Sequence, residues 1–116
     1  MIGKAHSISH ASNAINYAME KKGAVEISRN NVAGENGKEI AKEFRVFQNL
    51  NARCQRNTIS FVLSPAIPVG NQLTNDDFKN LSDDFLIRMN LNENQSITFL
   101  HRDEDHLHLH IFCESD

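Results

Sequence analysis

Apolar positions recur along the chain at two periods, about two and about three to four residues, and the switches between them mark its elements. "IGKAHSI" alternates and reads as a short first strand. "SNAINYAMEKK" takes the helical period, with Ala14 and Ala18, Ile15 and Met19 four residues apart. A serine or asparagine within Ser9–Asn13 caps its start, and Gly23 after Lys21 and Lys22 stops it. "AVEISRNNVAGENG" predicts a short strand at Val25–Ile27 and then a Gly/Asn-rich loop. A second helix is predicted from about Lys38 to Arg53. Ile40, Phe44, Phe47 and Asn51 line one side, with Val46 and Leu50 beside them.

"TISFVLS" is β-branched and aromatic over Thr58–Leu63 and predicts a strand. Pro65, Pro68 and Gly70 then force a loop. Thr74 stands as a helix N-cap with Asp77 three residues on, and Leu73 and Phe78 form a hydrophobic staple. The third helix is predicted to run to about Met89, with Phe78, Leu81, Phe85 and Met89 on its core face. "SITFLH" is a strand, "RDED" a turn and "HLHLHIFC" the returning strand. This order predicts an α+β fold: a small antiparallel or mixed sheet with helices packed mainly on one face. So few strands leave an edge unpaired unless something covers it.

The 116 residues bound a single domain, 1–116, with a modest core. A hydrophobic fraction of 40% and a charged fraction of 23% are ordinary for a globular chain. No apolar run approaches membrane-spanning length, and the start lacks a secretory h-region, so a cytoplasmic location without membrane partners is expected. Cys54 and Cys113 are too few for a disulfide scaffold or a zinc ribbon. They read as reduced thiols, with Cys113 half-buried. The net charge of −3 argues against a general nucleic-acid coat. Its distribution says more: residues 1–56 hold nine Lys/Arg against five Asp/Glu, and residues 57–116 hold three against ten.

Four of the six histidines lie between His101 and His110, in "HRDEDHLHLH". Strand alternation turns Leu107, Leu109 and Ile111 to one face and His106, His108, His110 and Phe112 to the other. Two imidazoles two residues apart on one face can clamp a cation, and a short hairpin brings His101 to the same place. Three nitrogens with open positions make a catalytic type of metal site. Asp103 or Glu104 can orient an imidazole from behind, and Glu104 can also bind the ion itself. An exposed polar strand face, or a patch that binds DNA or another chain without an ion, are the competing readings. Tyr17 is the only tyrosine, so it is the one candidate for chemistry through a phenol; the competing role is half-buried packing.

The stretch H-x-D-(x4)-H-x-H, here His101, Asp103, His108 and His110, resembles the third motif of conjugative relaxases, the mobilisation nucleases of the HUH endonuclease superfamily. "NYAMEKKGA" with Tyr17 looks like the family's nucleophile motif, and "TISFVLSPA" through "LTNDDFKNLSDDFL" looks like the segment between, so the resemblance covers nearly the whole chain in order. It implies a ferredoxin-like, HUH-type fold with the H-x-H strand central. It implies a metal-dependent nickase acting on single-stranded DNA at the transfer origin of a plasmid or other mobile element, with accessory mobilisation proteins as further partners. The cut leaves a 3′ hydroxyl and a 5′ phosphotyrosine. Carried over, Tyr17 is the nucleophile, and His101, His108 and His110 hold a divalent ion, Mg²⁺ or Mn²⁺. Asp103 orients a histidine or helps with protons, and Glu104 and His106 lie behind the ligands. Ser64 falls where relaxases contact DNA, and Lys21 and Lys22 are phosphate contacts or helix-end charges. The chain stops at Asp116, directly after the histidine strand, so a domain truncated at its C-terminal end is expected. A degenerate relaxase fragment that only binds metal or DNA, and a nuclease of the rolling-circle initiator type, are the alternatives.

Overall fold

The computed structural model describes residues 2–8, 11–50, 58–65, 73–103 and 106–114; the side chains of 2, 46–50, 103 and 106 also lie outside that description. The elements are β1 (Ile2–Ile8), α1 (Ala11–Glu20), β2 (Val25–Asn30), α2 (Gly37–Leu50), β3 (Thr58–Ser64), α3 (Asn75–Arg88), β4 (Ser96–Asp103) and β5 (His106–Glu114). The five strands form one antiparallel sheet in the order β1-β3-β5-β4-β2. The histidine strand is therefore central, as the resemblance implied, and β1 and β2 are the edges.

Alternation along β4 and β5 feeds two separate cores. Ile97, Phe99 and Phe112 pack under α1 and α2 with Ala11, Ile15, Ala18, Ile40, Ala41 and Phe44. On the opposite face Leu100, Leu107, Leu109, Ile111 and Cys113 pack with Phe61 and Leu63 of β3 and with Phe78 and Leu86 of α3. Two helices thus share one face and the third covers the other. Both faces of β4 are dry from Ser96 to Leu100, so "SITFL" is buried throughout, with its two hydroxyl-bearing residues taken into the interior. Thr98 meets Ser82 of α3, hydroxyl to hydroxyl, at 2.8 Å. Cys113 is fully buried rather than half-buried, because this second core closes over it. Cys54 lies outside the described residues.

Two element ends differ from expectation, each for a structural reason. β2 continues to Asn30, beyond the expected Ile27, because β4 supplies a pairing partner as far as Ser96. Its polar end is satisfied: Asn30 donates to the carbonyls of Asn92 and Asn94, and Arg29 donates to those of Val32 and Gly34. On α3 the buried row is Phe78, Ser82 and Leu86, with Leu81 and Phe85 half-buried. Met89 was expected in that row but is 47% exposed, because it forms the C-cap, where the helix has left the sheet. The start of α3 is as the sequence predicts: Asp77 N–H donates to Thr74 Oγ1, and Thr74 N–H donates to the Asp77 carboxylate. Gly23 follows α1 with φ +81°, the left-handed conformation that stops a helix. The expected extension of α2 past Leu50, and the loop residues Pro68 and Gly70, lie outside the described residues.

Candidate active site

Pairing in the β4–β5 hairpin sets His101 opposite His108 and Phe99 opposite His110. All four share the face covered by α1 and α2. The rings of His101 and His110 are 4.2 Å apart between centroids, inclined at 40°. Those of His108 and His110 are 6.1 Å apart and nearly perpendicular. The expected clustering of three imidazoles on one face is therefore present.

The three differ in surroundings. His101 is only 2% exposed, and its Nε2 is 2.7 Å from the carbonyl oxygen of Ala18. A carbonyl only accepts, so Nε2 carries the proton. Ala18 lies in the last turn of α1, where carbonyls have no partner within the helix. His101 supplies one from the sheet. His108 is half-buried, with its Nδ1 2.8 Å from the hydroxyl of Ser64. Ser64, expected near DNA, thus lies against a histidine ring. His110 is half-buried between the other two rings.

A metal-bound imidazole typically gives its second nitrogen to a carbonyl, carboxylate or hydroxyl. Ala18 O serves His101 in that way and Ser64 Oγ serves His108, so donor types and outer hydrogen bonds suit a divalent ion. Among the described residues no three His, Cys, Asp or Glu side chains are grouped to hold an ion; the Asp103 side chain and Glu104 lie outside them.

Tyr17 lies on α1 next to Ala18 and is 71% exposed, which removes the half-buried packing role. Ala11, Ile15 and Ala18 face the sheet. At about 100° per residue, Ser12 and Asn16 fall on one flank of α1 and Ala14, Tyr17 and Lys21 on the other. The first flank meets α2, where Gly37 N–H donates to Asn16 Oδ1 at 2.6 Å. Glu43 of α2 accepts from the amides of Ala33 and Gly34, which ties α2 to the loop after β2. The Tyr17 flank is therefore the one turned away from α2. The helical turn holds through Lys21, whose N–H donates to Tyr17 O. Lys21 is half-buried and Lys22 exposed.

On the face that carries the histidines, the described residues leave β1 and β3 incompletely covered. Lys4 and His6 of β1 are exposed, and Ser60, Val62 and Ser64 of β3 are half-buried. Sequence reasoning assigned nothing to Lys4, and alternation alone puts it only on the same face as His6. The sheet order is what sets that face beside the histidines. Asp103 ends β4 opposite His106; the side chains of both, and the whole of Glu104, lie outside the described residues, as does His10. No helix among the described residues is long and apolar enough to cross a membrane.

No curated protein and no solved structure matches the chain. A family model does, and it covers the tyrosine helix, the middle strand and the histidine hairpin together. The relaxase model described as the MobA/VirD2-like nuclease domain matches residues 12–115, nearly the whole chain, and the chain belongs to that family of DNA-nicking relaxases.

Proposed function

We propose that the chain is a metal-dependent, site-specific nickase of single-stranded DNA, acting in the cytoplasm at the transfer origin of a plasmid or other mobile element through a 5′-phosphotyrosine. The observation that carries this reading is the pairing of an exposed phenol with an imidazole cluster: Tyr17 is solvent-accessible and its chain neighbour Ala18 is hydrogen-bonded to the buried His101. The Tyr17 oxygen attacks phosphorus, a Tyr–O–P bond forms, and the bond from phosphorus to the 3′ oxygen breaks. The phenolic proton leaves Tyr17 and a proton reaches the departing 3′ oxygen. Phenolate is itself a good leaving group, so a 3′ hydroxyl can reverse the step and reseal the strand.

A phenol near its ordinary pKa of about 10 is a weak nucleophile at neutral pH and needs activation. His101, His108 and His110 would hold a divalent ion, Mg²⁺ or Mn²⁺, with Ser64 steadying His108 and the Ala18 carbonyl steadying His101. Such an ion withdraws charge from the phosphate oxygens and fixes phosphorus for in-line attack. Asp103 is assigned to orienting a histidine or moving the proton, and Glu104 and His106 to support behind the ligands. Lys21, one turn beyond Tyr17 on the same flank, and Lys22 are assigned to phosphate. Accessory mobilisation proteins would bring the chain to its origin.

The test is incubation with a single-stranded oligonucleotide carrying the cognate origin. A covalent adduct is expected with the wild type and none with Tyr17→Phe. Mn²⁺ should raise the melting temperature, and His108→Ala should abolish that rise. The other reading is a relaxase fragment that binds metal or DNA without cutting. Metal binding without adduct would establish it over the nickase.

A further inference from the structure

Lys4 of β1 stands opposite Val62 of β3, and Val62 stands opposite His110 of β5. The three form one row across the sheet on one face. Two strand spacings separate Lys4 from His110, about 10 Å between backbones. Between them among the described residues lie the half-buried Val62 and its neighbours Ser60 and Ser64. This stretch of β1, β3 and β5 is the floor of a shallow trough on the face that carries α1.

Neither β1 nor β3 contains an Asp or Glu; on β5 the acidic residue is Glu114, buried at the far end of the face, and α1 ends on the exposed Glu20. The helix on the opposite face, α3, carries Asp76, Asp77, Asp83 and Asp84 against Lys79 and Arg88, and so repels a polyanion more strongly than β1 and β3 do.

We propose that the trough seats the sugar–phosphate backbone of the cleaved strand, with the Lys4 ammonium on a phosphate neighbouring the reacting one. The assignment rests on the relaxase reading for its ligand, and it adds a residue outside the histidine and tyrosine motifs. At about 10 Å Lys4 is too remote to share the histidines' phosphate and well set for the next along the strand. His6, two residues on and exposed on the same face, lies in the next row, opposite Ser60.

Phosphate contact is independent of base sequence, so a labelled oligo-dT serves as probe, with anisotropy measured across a salt series. One lost phosphate contact lowers the slope of log affinity against log salt by about 0.7 for a single strand. Lys4→Ala should show that loss and weaker binding at low salt, and Lys4→Arg should restore both. Lys79→Ala removes the same charge from the acidic face and should leave the slope unaltered. An unchanged slope in Lys4→Ala, in a protein that forms the Tyr17 adduct, overturns this inference alone and leaves Lys4 as protection of a sheet edge. A Lys4-dependent slope without adduct upholds the trough and overturns the nickase reading. A wild-type chain that binds no oligo-dT overturns this inference, and one that also forms no adduct with the cognate strand overturns both.

Discussion

Replacing His101 with phenylalanine separates its two roles, because the ring shape is kept and the N–H is lost. The Ala18 carbonyl at the end of α1 would then be buried without its sheet donor. Leaving a buried acceptor unpaired costs about 1–3 kcal/mol. The cavity contribution is small, since a six-membered ring fills the space of the imidazole, and a swap of near-equal volume costs under about 1.5 kcal/mol. A destabilisation of about 2 kcal/mol lowers the melting temperature of a chain of this size by about 8 °C. The assay is thermal unfolding by circular dichroism in EDTA, so that no ion contributes. His101→Gln, which carries an amide N–H at similar reach, should recover part of the loss. Amide hydrogen exchange at residues 18–22 should accelerate in His101→Phe and much less in His101→Gln. A melting temperature within about 1 °C of wild type for His101→Phe would refute the reasoning. It would mean that the Ala18 carbonyl is satisfied elsewhere and that α1 is held by its apolar face alone.

Two further substitutions test how the nucleophile helix and the opposite face are held. Gly37→Ala puts a methyl group onto the Ser12 carbonyl and 2.7 Å from the Asn16 side chain. It should push α2 from α1 and cost about 1–3 kcal/mol, read as a lower urea midpoint; an unchanged midpoint would show that the contact yields freely. Thr74→Ala removes the cap of α3 and should cost about 1 kcal/mol, with Thr74→Ser close to wild type in the same titration.

Much of the fold was legible locally. Alternation in "IGKAHSI", "TISFVLS" and "HLHLHIFC" determined three strands, and the reciprocal bonds of Thr74 and Asp77 start α3 where the pattern put it. These depend on interactions within a few residues, which a linear chain states directly. The end of α3 was misread because Leu81, Phe85 and Met89 make a plausible apolar stripe. The buried row runs through Ser82 instead, and only the Thr98 hydroxyl 16 residues away makes a serine acceptable there. Likewise the polar tail of β2 reads as loop until β4 offers it a ladder.

The candidate site divides in the same way. The sequence by itself determined which residues carry chemistry: three imidazoles at strand spacing, one tyrosine and a charge imbalance between the halves of the chain. Only the tertiary structure decided that His101 is bound to the helix of Tyr17, that His108 meets Ser64, and that the acidic helix lies on the face opposite the histidines. Those relations join residues 44 and 83 positions apart. They are fixed by strand order and register, which arise from burying both faces of one sheet at once and leave no periodic trace along the chain.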